Sequence, residues 1–159
     1  MTTIRKKIIM VDDDITNLAI AKNDLAENYD VFTAPSGAKL FQLLEKLTPD
    51  LILLDVEMPG MNGYEVIGTL KNNKASAGIP VIFPTANLDP ENEAKGLKLG
   101  AADYMVKPFS RELLLRRIGL HLLLEEAAGI IKNGGETQLD SELVSGFLER
   151  EKELTGRSI

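Results

Sequence analysis

Two short, unbroken apolar runs end in acid, and they limit the folds open to this chain more than any other feature. Ile8-Ile9-Met10-Val11 runs into Asp12-Asp13-Asp14, and Leu51-Ile52-Leu53-Leu54 runs into Asp55. Four apolar residues in a row, with no polar face, read as a strand covered on both sides, as in a parallel sheet between helices. A carboxylate delivered to the end of such a strand is costly unless something pairs with it. Two strands of this kind point to one anionic pocket, and an anionic pocket calls for a cation.

The rest of the chain alternates in period. Strands are expected at Lys6–Val11, Tyr29–Thr33, Leu51–Leu54, Pro80–Phe83 and Asp103–Val106. Between them, helical spacing covers Ile15–Asn28, a segment from a Ser36 cap through Leu47, and Gly63–Asn72. A fourth helix spans Pro90–Leu99 and stops at Gly100, and Ser110 caps a long fifth one. One-for-one alternation means an α/β, doubly wound parallel sheet. In open sheets of this kind ligands bind beyond the carboxyl ends of the strands, where the strand order reverses. If the strand order is 2-1-3-4-5, the first and third strands flank that crevice and Asp12, Asp13 and Asp55 become neighbours. The fourth strand brings Thr85 to the same edge and the fifth brings Lys107.

Composition removes several classes of function. At 159 residues, 44% apolar and 26% charged, the chain can bury a real core. A net charge of −6 disfavours direct contact with nucleic acid. The absence of Cys excludes disulfides and thiolate metal sites, and fits a reducing cytoplasm. The apolar stretch after Arg5-Lys6-Lys7 is too short for a signal segment or a membrane span, so a soluble cytoplasmic protein with no membrane partner is expected.

The chemistry of the crevice follows from its charges. Two carboxylates about 4 Å apart repel by roughly 4 kcal/mol at an effective dielectric near 20, so they need a proton or a metal. Oxygen-only ligation favours Mg²⁺, which typically takes one or two carboxylates together with phosphate oxygens. Lys107 and Thr85 supply a charge and a hydroxyl suited to the oxygens of a transferring phosphoryl group, with Asp55 as the nucleophile.

Four motifs in order carry a family resemblance. They are Ile8–Asp14, the run Leu53-Leu54-Asp55-Val56-Glu57-Met58-Pro59-Gly60-Met61-Asn62-Gly63, Val81–Ala86, and Gly100–Phe109 with its Lys107-Pro108 pair. Over residues 4 to 125 the chain resembles the receiver domains of bacterial two-component response regulators, chemotaxis regulators among them. The resemblance implies a flavodoxin-like (βα)5 fold in the order 2-1-3-4-5, and a signalling phosphoacceptor rather than an enzyme. It implies Asp55 as phosphoacceptor, and Asp12, Asp13, Asp55 and the Glu57 backbone carbonyl as the Mg²⁺ site, with Asp13 the direct ligand of the acidic pair. Thr85, the Ala86 N–H and Lys107 would bind the phosphoryl group, Tyr104 would be the aromatic switch, and the Lys107–Pro108 bond would be cis. The implied partners are a sensor histidine kinase or a histidine phosphotransfer protein. A homodimer through the fourth helix, fifth strand and fifth helix, or through the C-terminal helices, is a further expectation.

Other readings accompany these. Asp14 is a loop or helix-cap residue, Tyr104 has the alternative of a half-buried strand aromatic, and His121 is a packing or surface residue. Met58 and Met61 are loop packing, and Gly37, Gly60, Gly63 and Gly100 are turn or cap glycines. Glu57 and Asn87, two residues past Asp55 and Thr85, tune water access in the family, and Pro84 departs from its usual Leu or Met. Asp12-Asp13-Asp14-Ile15-Thr16 fits the D-x-D-x-T nucleophile motif of haloacid-dehalogenase-type phosphohydrolases, but no late G-D-x-x-x-D motif follows. A degenerate receiver serving only for docking conflicts with every chemical position being filled. Residues 126–159 read as a helical extension or a linker to an output domain outside this chain. A break at Asn133-Gly134-Gly135 and a cap at Thr137 or Asp140 are expected there. Arg116-Arg117-Ile118-Gly119-Leu120-His121-Leu122 weakly resembles receivers joined to cyclic-dinucleotide enzymes.

Overall fold

In the computed structural model, which describes residues 4–86 and 89–132, the apolar runs are strands and the helical periods are helices. β1 (Lys7–Val11), β2 (Asp30–Ala34), β3 (Leu51–Leu54), β4 (Val81–Thr85) and β5 (Asp103–Val106) form one sheet in the order β2-β1-β3-β4-β5. All four pairings are parallel. Helices α1 (Ile15–Leu25), α2 (Gly37–Leu44), α3 (Gly63–Asn72), α4 (Pro90–Lys98) and α5 (Arg111–Lys132) follow the strands in turn. This is the expected flavodoxin-like arrangement.

The core explains why the runs are strands. All four residues of β3 are fully buried, and burying each such side chain is worth about 1.5–3 kcal/mol. Ile9, Ile52, Leu54 and Phe83 from the sheet share one cluster with Leu40 of α2 and Val66, Ile67 and Leu70 of α3. The last two form part of an i, i+3 stripe facing the sheet.

Register then places the acids. Val11 sits opposite Leu54, and the Asp55 N–H donates to the Val11 carbonyl at 2.9 Å. The residues that follow these strands, Asp12 and Asp55, therefore leave the same edge side by side.

Helix starts obey local chemistry. Asp14 caps α1 by accepting from the Thr16 N–H, Ser36 caps α2, and Asp89 caps α4 ahead of Pro90. Asn62 and Glu65 form a reciprocal capping box at α3. Gly100, at φ +104°, takes the left-handed turn after α4.

Three boundaries differ from expectation by more than one residue. α1 ends at Leu25 and α2 at Leu44, each about one turn short of Asn28 and Leu47. The exposed residues 26–28 form turns that no core contact holds helical. β4 runs past Phe83 through Pro84 and Thr85. A proline is tolerated there because pairing with β3 has already ended at Leu53–Ile82, while β5 still pairs with Pro84 and Thr85.

The chain divides into two compact units, residues 1–115 and 116–159. The expected tail break and caps, and Asn87, lie outside the described residues. No helix among the described residues is long and apolar enough to cross a membrane.

Candidate functional site

The carboxyl edge gathers the predicted residues from four strands. One carboxylate oxygen from each of Asp12, Asp13 and Asp55 lies within 4.8 Å of the others. Asp12 and Asp55 are 1% and 7% exposed, whereas Asp13 faces solvent. Lys107 Nζ stands between the buried pair, 3.2 Å from Asp12 Oδ2 and 3.4 Å from Asp55 Oδ1. Its backbone N–H donates to the Thr85 carbonyl at 2.8 Å, and the Lys107–Pro108 peptide is cis. Thr85 is buried at the end of β4, and Ala86 follows it at the surface. Glu57 lies in the turn after β3 with its side chain exposed.

Electrostatics make this a strained cluster without a further cation. Burial, then repulsion from Asp12, pushes the Asp55 carboxyl up to about 6, against the pull of Lys107. Burial also works against the Lys107 charge, but the carboxylates of Asp55 and Asp12 outweigh it and hold the ammonium above its ordinary value. Three carboxylates and one ammonium leave negative charge uncompensated. The donors are all oxygen, and one of the three acids is open to solvent. That set fits a hard cation that keeps some of its water, as Mg²⁺ does, and does not fit a soft metal.

Two residues beside the cluster, Asn17 and Gly63, have roles that their sequence pattern did not give. Asn17 Nδ2 donates to Asp12 Oδ2 at 3.1 Å, and the Asp14 N–H donates to Asp12 Oδ1 at 2.9 Å. These bonds fix the orientation of the Asp12 carboxylate. A polar residue in the first turn of a helix that follows the acids was the only available signal for Asn17. Gly63 has a role beyond that of a turn residue. A Cβ there would stand 2.5 Å from the Asp55 carbonyl oxygen and 2.8 Å from Val56 Cα, so only glycine lets α3 start against the backbone of Asp55.

The D-x-D-x-T reading dissolves at Asp14. Its Oδ1 accepts from the Thr16 N–H at 2.8 Å, and the three-carboxylate cluster among the described residues comprises Asp12, Asp13 and Asp55 without it. The motif is thus a helix cap following a strand-end acid.

Tyr104 is buried, at 3% exposure, with its ring 5.3 Å from that of Phe83. Its hydroxyl donates to the Asn92 carbonyl at 2.9 Å. Burial, together with the neighbouring Tyr64 hydroxyl, raises its pKa above the ordinary phenol value. The side chain is more deeply placed than the half-buried alternative supposed.

Comparison with known proteins agrees with this geometry. The family model described as Response regulator receiver domain matches residues 8–119. A probable cyclic di-GMP phosphodiesterase of Vibrio cholerae is 41% identical over 145 residues, covering 90% of this chain and 33% of that protein. The DNA-binding response regulator MtrA of Mycolicibacterium smegmatis is 35% identical over 127 residues, covering 79% of this chain and 54% of its own. The chain thus spans about a third to a half of the length of these two relatives. Among solved structures, the Vibrio cholerae chemotaxis protein CheY4 is similar at a TM-score of 0.71 and 30% identity, over 73% of this chain and 98% of that one. A CheY-like receiver domain protein from Methanospirillum hungatei gives a TM-score of 0.72 at 30% identity, over 77% and 98%. With a matching family model, a CheY-like sheet order and an acidic strand-end cluster, the chain belongs to the response regulator receiver domain family.

Proposed function

We propose that Asp55 accepts a phosphoryl group from a phosphohistidine of a sensor kinase or a histidine phosphotransfer protein. The observation that carries this reading is the convergence of Asp12, Asp13 and Asp55 within 4.8 Å, with Lys107 Nζ between the two buried carboxylates. Asp12, Asp13, Asp55 and the Glu57 carbonyl would hold Mg²⁺. When bound, the ion supplies the charge neutralisation that lets an anionic phosphoryl group approach three acids.

The remaining steps belong to the chain. An Asp55 carboxylate oxygen bonds to phosphorus as the phosphorus–nitrogen bond to the donor histidine breaks. The electron pair leaves on the imidazole, which takes a proton from solvent. Lys107 exchanges its carboxylate contacts for a phosphoryl oxygen, and the Thr85 hydroxyl and Ala86 N–H donate to the others. Hydrolysis of the acyl phosphate returns Asp55 and inorganic phosphate. Thr85 and Tyr104 convey the change to α4, β5 and α5, the surface offered to an output domain or to a second copy of the chain.

On this reading residues 4–125 are the receiver of a cytoplasmic regulator. Residues 126–159 extend it toward an output module, as the partial coverage of both relatives suggests. The test is incubation with a small acyl-phosphate donor and Mg²⁺, followed by intact mass. One added phosphate on the wild type and none on Asp55→Asn is expected. Equal labelling of both, or none on either, overturns the proposal.

A further inference from the structure

α4 is attached to the rest of the receiver in an unusual way. Among the residues of α4 only Gly96 is buried, and its apolar content is low. What Gly96 buries against is the Tyr104 phenol. A Cβ at position 96 would lie 2.6 Å from Tyr104 Cζ and closer still to its hydroxyl oxygen. No side chain at 96 is compatible with the tyrosine where it stands. The obstructed atoms belong to the free end of a rotatable side chain, so the ring can leave by changing rotamer while the backbone stays in place.

The hydrogen bond of that ring's hydroxyl ends on the same helix. The Tyr104 hydroxyl donates to the Asn92 carbonyl at 2.9 Å, and the Tyr64 hydroxyl approaches the same oxygen at 3.5 Å. Tyr64 is the second residue of α3, stacks edge-on against Phe83 at 5.6 Å, and has Lys95 Nζ 4.7 Å over its ring. Phe83 in turn touches Tyr104. A groove of about 640 Å³ lined by Tyr64, Asn92, Asp89 and Thr85 connects the phosphoryl-binding end of β4 to this point.

We propose that Gly96 is the gate for Tyr104: its missing side chain makes the inward ring the resting conformer of this receiver, and Tyr64 with the Asn92 carbonyl latches it. The proposal rests on the reading of Tyr104 as the reporter of Asp55, and it adds which residues set that reporter's resting position. Two hydroxyls from two different elements meet on one carbonyl of a helix that has no other buried residue. The position of α4 is therefore coupled to the rotamer of Tyr104 through groups that take no part in phosphoryl transfer.

The test uses the full chain carrying 3-fluorotyrosine, followed by fluorine NMR, with the Tyr104 resonance assigned through Tyr104→Phe. In the wild type, before any phosphoryl mimic is added, that resonance is expected to be protected from a soluble paramagnetic agent. In Gly96→Ala it is expected to lose this protection, while phosphate uptake by intact mass stays within twofold. Tyr64→Phe is expected to lower the protection by a smaller amount. Because alanine suits a helix better than glycine, Gly96→Ala is expected to raise the Tm in a Tyr104→Ala background, and to raise it less, or lower it, when Tyr104 is present.

A Tyr104 ring already exposed in the unmodified wild type overturns the proposal, as does a ring still protected in Gly96→Ala. An equal Tm change with and without Tyr104 does the same, and Tyr64→Phe without effect removes Tyr64 from the latch. If the wild type takes up no phosphate while its ring is protected and Gly96→Ala releases it, the gate stands and the phosphoacceptor reading fails.

Discussion

The backbone N–H of Lys107 donates to the carbonyl of Thr85 at 2.8 Å. The ammonium-bearing residue after β5 and the hydroxyl-bearing residue ending β4 are thus joined by main chain, far apart in sequence though they are. A change in the position of one is transmitted to the other without any side-chain intermediary.

Lys107→Ala separates two functions of the ammonium. On the proposed function it competes with a divalent cation for Asp12 and Asp55 before transfer, and neutralises developing charge during it. Removing a unit charge beside a metal site is worth about 1 kcal/mol near water, so Mg²⁺ is expected to bind roughly fivefold tighter. Phosphate uptake is expected to slow by about tenfold or more. Metal titration and a time course by intact mass check both directions, and weaker metal binding would contradict the competition.

Asp55 makes the metal-free protein pH-sensitive. Its carboxyl holds a proton up to about pH 6 when folded, against an ordinary value of 3.8. The folded state therefore binds more protons between those limits, and unfolding free energy falls as the pH rises through them. The loss is on the order of 3 kcal/mol and is complete about one pH unit above 6. Urea unfolding in a chelator should show this slope in the wild type and a flatter profile in Asp55→Asn, which is expected to be the more stable protein at pH 7.5. Mg²⁺ affinity should rise with pH over the same window.

Gly63→Ala tests the close approach of α3 to the acceptor. The new methyl would meet the Asp55 carbonyl and Val56 Cα, both backbone atoms that cannot rotate aside. A loss of about 1–3 kcal/mol in stability is expected, together with slower phosphorylation because Asp55 must shift. Gly68→Ala, which meets nothing within 4 Å, is the matched control and should leave both unchanged or stabilise the helix slightly.

Asp14→Ala distinguishes a cap from a catalytic acid. Loss of the bond to the Thr16 N–H should cost about 1 kcal/mol of stability, with phosphate uptake within twofold of wild type. Loss of uptake as complete as in Asp55→Asn would return Asp14 to the chemistry.

What could be read beforehand follows from how far each signal reaches. β3 was legible because four apolar residues ending in acid leave few alternatives, and the meeting of Asp12 with Asp55 followed once the strand order was granted. Asp14, Ser36 and Ser110 were legible as caps because a cap is a local bond. Gly63 and Gly96 were not. Each is defined by what stands where its side chain would be, Asp55 in one case and Tyr104 in the other, and no local pattern records such distant neighbours. Asn17 was hidden for a similar reason, since its partner Asp12 belongs to the preceding strand. The end of α1 fell short because the exposed residues after Leu25 have no core contact to sustain a helix, whereas α2 stops at Leu44 although Leu47 still packs against the core.

The lone buried glycine of α4 also sets a mechanical contrast. β1 and β3 sit in fully packed surroundings, so the acids they carry are mounted on the stiffest part of the molecule. α4 rests on a ring, a carbonyl and a few partly buried side chains, and segments with so little buried apolar surface open at small free-energy cost. Amide exchange should accordingly be fastest along α4 and slowest in β3. A signal of only a few kcal/mol, far too weak to deform the sheet, is then sufficient to repopulate the helix.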